Sequence, residues 1–340
     1  MSERRRILVV GPSWVGDMVM AQSLFIALQQ QADAQIDVLA PAWSLPILQR
    51  MPQVHQGIAM PLGHGQLGLR TRWQLGRQLA RSGYQQAIVL PGSLKSALVP
   101  WFAGIPQRTG FTGEQRYGLL NDRRPLDKQA LPMTVQRFVA LGLPRTPAAS
   151  TAPEFPPPRL VADAANAARL RERLGLQDPR PAVAFMPGAE YGHAKQWPAP
   201  HFAQLARDLI ARGQQVWVLG SAKDREIGQA IADSLAPEQA AQMHMLCGQT
   251  ELGDVVDLLS LCAGAVSNDS GLMHIAAALG IPLVAIYGSS DPRHTPPLSP
   301  AARALSLNLP CAPCFERRCP LGHTRCLNEL LPQQVLQALP

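Results

Sequence analysis

Short apolar runs alternate with longer amphipathic stretches along this chain. The runs are rich in valine, isoleucine and leucine and predict buried β-strands, whereas stretches such as 20–31 and 200–213 carry apolar residues at helical spacing. The predicted strands are 7–11, 35–40 and 85–91 in the first half and 181–187, 214–220, 264–269 and 282–288 in the second. Strands and helices that alternate in this order predict an α/β fold, with helices on both faces of parallel sheets.

A proline-rich segment, 143–160, interrupts this alternation. It holds six prolines and almost no periodic apolar pattern, which is typical of a connection between domains. The length of 340 residues also exceeds that of a usual single domain. We predict two Rossmann-like domains, a pattern that fits a double-Rossmann glycosyltransferase, a two-domain dehydrogenase or a binding protein. The predicted boundaries are 1–150 for the first domain, 151–160 for the linker, 161–325 for the second domain and 326–340 for a helical tail.

The longest apolar candidate for a membrane span is the segment 275–288. It is shorter than the roughly 18 residues that a span requires, and it contains Gly280 and Pro282. The apolar run after the basic N-terminal residues is too short for a secretory signal. We therefore expect a cytoplasmic protein.

The positive charge of the chain is concentrated in its first half. Residues 1–150 hold 16 Lys and Arg against 7 Asp and Glu, a net charge of +9, whereas residues 151–340 hold 15 against 17, a net charge of −2. A basic domain suits an anionic partner such as a nucleic acid, a phosphorylated sugar or an anionic membrane. The alternative is a basic face that serves only solubility.

The first strand leads into the turn "GPSWVGDMVMA", residues 11–21, where a nucleotide-binding α/β protein would keep its phosphate loop. This turn lacks the glycine pattern of a dinucleotide site and the Gly-Lys-Ser/Thr of a P-loop, and it carries an acid, Asp17. A nicotinamide-dependent oxidoreductase is therefore disfavoured.

The most informative segment lies at the end of a predicted strand in the second half. Asp269, Ser270 and Gly271 precede a helix-forming run, and His274 falls in its first turn. The N-terminus of such a helix faces the carboxyl edge of the sheet, where folds of this class bind phosphates. The alternative is an ordinary capped helix with Asp269 or Ser270 as its cap.

Two further corners between a strand and a helix lie in the second half. The loop after Pro187 and Gly188 carries Lys195, which can reach a phosphate as a mobile charge or remain a solvated surface lysine. At 218–228, Asp224 or Glu226 offers a carboxylate to ribose hydroxyls, although a carboxylate at a helix N-terminus is the simpler interpretation.

The cysteines fall into two groups. Cys247 and Cys262 lie within apolar patterns and are predicted in the core. The other four lie close together in the tail, with His323 between the last two, and they are Cys311, Cys314, Cys319 and Cys326. Their spacing is compatible with structural zinc, but we favour reduced thiols in a packed turn over zinc and over a labile disulfide.

Four stretches of the chain together resemble one enzyme family. The segments "GPSWVGDMVMAQSL", "PGAEYGHAKQWP" and "VSNDSGLMHIAAALGIPLVAIYGSSDP" are similar to the ADP-heptose:lipopolysaccharide heptosyltransferases, and the tail "PCFERRCPLGHTRCL" resembles the heptosyltransferase II branch. The resemblance implies a GT-B fold, in which two Rossmann-like domains face a central cleft. It also implies inverting transfer of heptose from ADP-heptose to the first inner-core heptose on Kdo2-lipid A, through an α-1,3 linkage.

The same resemblance implies roles for individual residues. Asp17 matches the proposed catalytic base, and Lys195 matches a lysine that contacts the donor diphosphate. The expected donor-binding residues further include Asp224, Asp269, Ser270, Gly271, His274 and, where a related enzyme has two threonines, Glu190 and Tyr191. An anionic leaving group beside a lysine and a helix N-terminus needs no metal, so metal-independent transfer without a cofactor is expected.

The acceptor is expected at the basic first domain. Its predicted binding residues are Arg70, Arg72, Lys95 and Arg116, and Arg108, Arg123 and Arg124 are expected to help steer its Kdo carboxylates and lipid A phosphates. Peripheral contact with the cytoplasmic face of the inner membrane follows from such an acceptor. Two alternatives stay open, namely a family member that extends a different inner-core acceptor and a non-enzymatic nucleic-acid-binding protein, which the basic half allows although no nucleic-acid-reading motif is present.

Overall fold

The computed structural model describes residues 4–63, 65–145 and 152–339. The chain forms two compact units, Met1–Pro158 and Arg159–Pro340. The boundary falls within the predicted linker, 151–160, of which Thr151 lies outside the described residues. Of the helices in the described ranges, none combines the length and the apolar character that a membrane span requires.

The first unit is built on one parallel sheet. Its strands are β1 (Arg6–Val10), β2 (Gln35–Pro41), β3 (Val54–Met60), β4 (Gln86–Val89), β5 (Gln107–Phe111) and β6 (Asp122–Arg124). Its helices are α1 (Val15–Ala32), α2 (Leu45–Leu48), α3 (Leu69–Leu79), α4 (Leu98–Phe102) and α5 (Thr134–Gly142). The strands lie in the order β3-β2-β1-β4-β5-β6, which is the doubly wound arrangement of nucleotide-binding folds.

The second unit repeats this arrangement. Its strands are β7 (Ala182–Met186), β8 (Gln215–Val218), β9 (Met243–Met245), β10 (Gly264–Asn268), β11 (Leu283–Ile286) and β12 (Ala302–Leu305). Its helices are α6 (Ala164–Arg173), α7 (Ala199–Ala211), α8 (Arg225–Ala232), α9 (Pro237–Ala240), α10 (Leu252–Leu259), α11 (Gly271–Leu279), α12 (Arg325–Asn328) and α13 (Pro332–Ala338). The order β12-β11-β10-β7-β8-β9 is the same topology, so the prediction of two Rossmann-like α/β units is confirmed.

Close helix packing fixes α1 against the first sheet. Phe25 and Leu24 are fully buried, and α5 approaches α1 so closely that a Cβ atom at Gly142 would lie 2.4 Å from Leu24 Cδ1. A side chain at Gly142 would therefore force the two helices apart. This packing holds the start of α1, which carries Asp17, at the carboxyl end of β1.

An aromatic cluster organises the core of the second unit. Trp197 is fully buried, its ring meets that of Phe202 at 4.8 Å edge-on, and its Nε1–H donates to the Leu330 carbonyl at 2.8 Å. Because Leu330 lies between α12 and α13, this bond joins the C-terminal helices to the loop that also carries Lys195. Val335 of α13 is fully buried in the same core.

Candidate active site

Lys195 and Asp269 form a short, largely buried ion pair in the second unit. Lys195 Nζ lies 2.6 Å from Asp269 Oδ2, and the two side chains are 17% and 6% exposed. Lys195 ends a short 3-10 helix, His193–Lys195, in the loop after β7, and Asp269 directly follows β10. Strands β7 and β10 are neighbours at the point where the strand order reverses, which is where sheets of this topology bind their ligands.

The Asn268 side chain connects the loop after β10 to the loop after β7, which runs from Pro187 to Trp197 and is called the lysine loop. Its Nδ2 donates to the Pro187 carbonyl at 2.7 Å, and its Oδ1 accepts from the Trp197 backbone N–H at 3.0 Å. Its side chain is completely buried, so one amide bridges the end of β10 to both ends of the lysine loop. Sequence reasoning assigned no role to Asn268, although an amide next to Asp269 at a strand end was a usable signal.

Helix α11 begins immediately after the ion pair. Ser270 occupies its N-cap position, and in the described part of the chain the Ser270 side chain makes no cap hydrogen bond; its hydroxyl lies 3.3 Å from Ser267 Oγ. The N–H groups of a first helical turn have no acceptor within the helix, so the positive end of α11 sits beside Asp269. Of the predicted alternative, an ordinary helix with Asp269 or Ser270 as its cap, the described residues show Ser270 at the N-cap position without a cap bond from its side chain.

His274 lies buried in the first turns of α11. The pKa of this imidazole is lowered to about 4, chiefly by burial. The negative charge of Asp269 opposes this shift, and the positive charge of Lys195 adds to it. The ring is therefore neutral at physiological pH and adds no positive charge to the site. It can serve a ligand as a neutral hydrogen-bonding group or pack beneath the helix terminus.

Two residues of the loop that carries Lys195, Glu190 and Tyr191, have different surroundings. The Tyr191 ring lies 5.0 Å from Lys195 Nζ and 5.3 Å from Arg317 Cζ, and its hydroxyl donates to the Phe315 carbonyl at 2.7 Å. Glu190 is exposed and accepts from Lys223 Nζ at 2.7 Å. Tyr191 thus joins Lys195 to the cysteine-containing segment, whereas Glu190 lies on the surface.

Gly192 allows the lysine loop to pass close to that segment. Its φ is +154°, and a Cβ atom there would lie 2.4 Å from the Arg317 carbonyl oxygen. The Ala194 N–H donates to the same carbonyl at 3.2 Å. Any side chain at position 192 would push the backbone of residue 317 away and shift Lys195 with it.

Asp224 lies at the neighbouring corner after β8. Its Oδ2 accepts from the backbone N–H and the hydroxyl of Ser221, both at 2.8 Å. The carboxylate also fills the space in front of Gly188, where a Cβ atom would lie 2.4 Å from Asp224 Oδ1. Asp224 therefore caps its own turn and stands against the start of the lysine loop, which is compatible with both predicted interpretations. Glu226 is exposed in the first turn of α8.

In the first unit, Asp17 lies in the first turn of α1 and is half-buried. The turn starts at Gly11, whose N–H donates to the Leu39 carbonyl at 2.9 Å, and Trp14 is 52% exposed. Lys95 lies in the loop after β4 and is also half-buried. Strands β1 and β4 flank the strand-order reversal of this sheet, so Asp17 and Lys95 occupy the same kind of position as Lys195 and Asp269.

Two of the predicted acceptor residues are buried arginines. Arg72 is 5% exposed and donates to the carbonyls of Leu67 at 2.6 Å, Lys95 at 3.1 Å and Gln66 at 3.3 Å. Arg116 is 2% exposed and donates to the carbonyls of Pro91 and Phe111. Burial lowers the pKa of both guanidinium groups, and Glu114 partly opposes this at Arg116. The donors of Arg72 and Arg116 therefore hold loops of the fold, and their role in acceptor binding stays a prediction.

The remaining predicted arginines fall into two groups, those whose guanidinium binds backbone or side-chain groups of the fold and those that are exposed. Arg108 donates to the Leu119 and Ile105 carbonyls at 2.6 Å each, and Arg124 binds Asp122 and two backbone carbonyls of the α5 region. Arg123 is exposed, with its guanidinium 4.5 Å from the Tyr117 ring. Arg70 is exposed on α3. Of the arginines predicted to steer an acceptor, Arg70 and Arg123 present their charge to solvent.

The six cysteines all lie in the described residues, and none of them is joined by a disulfide. Cys247 and Cys262 are buried, which confirms their prediction as core residues, and burial raises the pKa of each thiol to about 12. The four tail cysteines are half-buried, and the backbone N–H groups that follow Cys319, first that of Thr324, lower the pKa of this thiol. Within residues 4–63, 65–145 and 152–339, no group of three or more His, Cys, Asp or Glu is arranged to hold a metal ion.

Comparison with known proteins identifies the family. The chain is 48% identical over 98% of its length to lipopolysaccharide heptosyltransferase 2 of Escherichia coli K12, of which it covers 97%. It is 48% identical to lipooligosaccharide heptosyltransferase 2 of Haemophilus influenzae, with 88% of each chain covered. The solved structure of E. coli ADP-heptose lps heptosyltransferase II matches with a TM-score of 0.88 at 46% identity, over 98% of this chain and 97% of that one.

The family model agrees with these relatives. The model of glycosyltransferase family 9 (heptosyltransferase) matches residues 72–325, which is most of the chain. The parallel-sheet units and the structural match also confirm the predicted GT-B fold class. The chain therefore belongs to glycosyltransferase family 9, the heptosyltransferases, and is a glycosyltransferase rather than a nucleic-acid-binding module.

Proposed function

We propose that this enzyme transfers L-glycero-D-manno-heptose from ADP-heptose to the first inner-core heptose of lipopolysaccharide, with formation of an α-1,3 linkage. The observation that carries the proposal is the Lys195–Asp269 ion pair beside the N-terminus of α11. The 48% identity to lipopolysaccharide heptosyltransferase 2 over nearly the whole chain supports the same donor and acceptor.

Charge complementarity supports the donor assignment. The Lys195 ammonium and the first-turn N–H groups of α11 supply positive charge at one edge of the second sheet, which suits the diphosphate of a nucleotide sugar. Asp269 would keep Lys195 oriented and accept hydrogen bonds from sugar hydroxyls. Asp224, Tyr191, His274 and Gly271 would line the rest of the donor site, with Glu190 at its margin.

The chemistry we propose is a direct displacement at the anomeric carbon of the donor. Asp17 takes the proton from the acceptor 3-hydroxyl as its oxygen forms the new bond to that carbon. The bond from the anomeric carbon to the diphosphate oxygen breaks, and ADP departs with the negative charge. Lys195 and the α11 N-terminus stabilise this charge, which is the task a divalent metal performs in other transferases, so we propose metal-independent transfer.

The acceptor is assigned to the first unit. Its Kdo carboxylates and lipid A phosphates are anionic, and residues 1–150 carry a net charge of +9. We assign its binding to Arg70 and Lys95, with Arg123 as a steering charge and with Arg72 and Arg116 holding the loops that present them. A lipid-linked acceptor places the working enzyme in peripheral contact with the cytoplasmic face of the inner membrane.

Two measurements test this function. Thermal melting is expected to shift with ADP and more strongly with ADP-heptose, and to stay unchanged with NAD or an oligonucleotide. NMR analysis of the product formed on an acceptor with one heptose is expected to show a new α-anomeric heptose at the 3-position. A melting shift with NAD alone, or a product linked elsewhere, would overturn the proposal.

A further inference from the structure

A long stretch of the first unit carries no negative charge. Residues 38–113 contain no Asp or Glu, yet they include seven cationic side chains: Arg50, Arg70, Arg72, Arg77, Arg81, Lys95 and Arg108. Helix α3 and the short 3-10 helix after it, Ala80–Ser82, lie in the middle of this stretch. Three arginines of these two helices, Arg70, Arg77 and Arg81, are exposed, and no acidic residue of the stretch 38–113 offsets their charge.

One face of this segment combines positive charge with an aromatic ring. Arg70, Trp73, Arg77 and Arg81 follow one another at spacings of three and four residues, which places them along one side of the helix. All four are exposed, and Trp73 is 50% exposed although it is a large apolar side chain. We call these four residues the α3 face.

Further exposed apolar side chains lie just before the α3 face in the chain and on the helix that packs against α3. Leu69 at the start of α3 is 52% exposed, and Leu67 just before it is 48% exposed. Trp101 is 46% exposed on α4, the helix that packs against α3. Exposed Trp and Leu among arginines are typical of segments that lie in the interface of a membrane, where the rings enter the headgroup region and the arginines meet lipid phosphates.

The opposite side of α3 is firmly held. A Cβ atom at Gly76 would lie 2.5 Å from Phe102 Cβ, so the helix backbone rests directly on α4. Arg72, buried beneath the helix, donates to carbonyls in the preceding loop and in the loop that carries Lys95. The α3 face is therefore a fixed surface, and its exposed apolar side chains are not those of a loose segment.

We propose that the α3 face docks this enzyme on an anionic lipid bilayer. The charge of the face matches that of a cytoplasmic leaflet, and Trp73, with the exposed Leu67 and Leu69 just before the face in the chain, supplies an apolar contact that a purely electrostatic site would lack. The proposal gains its biological sense from the proposed lipid-linked acceptor, but docking itself needs neither donor nor acceptor. It can therefore be tested apart from transfer.

The test measures co-sedimentation of the full chain with vesicles. The protein is expected to bind vesicles of phosphatidylcholine with phosphatidylglycerol, to bind phosphatidylcholine alone at least about tenfold more weakly, and to dissociate as salt rises. The double variant Arg77→Gln/Arg81→Gln is expected to lose about tenfold in affinity for anionic vesicles, and Trp73→Ala to lose a similar amount. The matched control is Arg212→Gln with Leu331→Ala, two exposed residues of the second unit, which should bind as the unaltered chain does.

Several outcomes would overturn this docking surface. One is that the α3-face variants bind anionic vesicles as tightly as the unaltered chain does. Another is that the unaltered chain binds neutral and anionic vesicles equally. A third is that the α3 face binds an oligonucleotide and not the vesicles. Because Arg77 and Arg81 are exposed, their double variant should keep its melting temperature, which separates lost docking from lost folding. Transfer to a water-soluble acceptor should survive in that variant; its absence in the unaltered chain would count against the proposed function and leave docking intact.

Discussion

Lys195 Nζ lies 2.6 Å from Asp269 Oδ2, and this ion pair joins the loops that leave two neighbouring strands of the second sheet. Taking two such groups out of water is costly, so a buried pair of this kind contributes little to stability as such. We propose that the pair, which lies beside the α11 N-terminus, serves ligand binding: the ammonium would turn towards a phosphate while the carboxylate keeps it in position.

Replacing Lys195 by Met should weaken donor binding and also lower the stability of the second unit, because the buried Asp269 loses its cation. The variant removes the charge that we propose faces the donor diphosphate, so we expect affinity for ADP to fall about tenfold to a hundredfold. Calorimetric titration with ADP measures this directly. The control is Arg325→Gln, which breaks an exposed pair with Glu329 in the same unit and should leave ADP affinity unchanged. Equal ADP affinity in Lys195→Met and the unaltered chain would remove Lys195 from the donor site.

Replacing Asp17 by Asn should abolish turnover and spare donor binding. An amide cannot accept the acceptor proton, so kcat is expected to fall by about 10² to 10⁴, while the donor site in the other unit keeps its affinity. Steady-state kinetics and ADP titration separate the two effects. Asp33→Asn is the matched control, because Asp33 is exposed at the other end of the same helix and its left-handed backbone tolerates Asn. Near-normal kcat in Asp17→Asn would return this carboxylate to a structural role.

Arg72 and Arg70 should behave differently although they lie two residues apart. Arg72→Gln removes a buried guanidinium and leaves three backbone carbonyls without their donor, and we expect a loss of about 2 to 4 kcal/mol in the free energy of unfolding. Arg70→Gln should melt like the unaltered chain, raise the acceptor KM and weaken its dependence on salt. Chemical denaturation measures the free energy of unfolding of both variants, and steady-state kinetics measures their acceptor KM. An Arg72→Gln protein that is fully stable but has a raised acceptor KM would reverse this assignment.

His274 should make the second unit less stable as the pH falls. Its pKa is about 4 in the folded chain against 6.5 as the ordinary value, so below pH 6.5 the unfolded chain takes up a proton that the folded chain does not. Stability is therefore lost progressively between about pH 6.5 and 4, by about 3 kcal/mol in full. The comparison is urea unfolding of the unaltered chain and His274→Gln at several pH values in this window. If the two proteins lose stability in parallel as the pH falls, the description of His274 as a buried, neutral imidazole is contradicted.

Much of the fold follows from the apolar runs, and the strands that escaped prediction lie mostly at sheet edges. All seven predicted strands are present, and in the second unit they are the four internal strands of the sheet. The edge strands β3, β6, β9 and β12 were not predicted, nor was β5. Edge strands are covered less completely and so tolerate polar residues, as Val54–Met60 illustrates, where every position is half-buried or exposed.

The candidate site could be predicted only in part, because its contacts join residues that are distant in sequence. Lys195 and Asp269 were each predicted at the end of a strand, but their contact depends on the pairing of β7 with β10, which no local pattern encodes. The burial of Arg72 and Arg116 had no local signal either, because an arginine that binds backbone carbonyls looks in sequence like any solvated arginine. Asn268 did have a local signal, its place next to Asp269 at a strand end, but its two hydrogen-bond partners are distant in sequence and could not be predicted.

The most direct test of the proposed function is a transfer assay with ADP-heptose and three acceptors, which carry no heptose, one heptose or two heptoses on the same Kdo2-lipid A. The measured quantity is kcat/KM for each acceptor. We predict that the acceptor with one heptose is extended at least about a hundredfold more efficiently than the other two, because a site built to hydrogen-bond a sugar hydroxyl rejects acceptors that lack it. Efficient extension of the heptose-free acceptor, or equal extension of all three, would contradict the account.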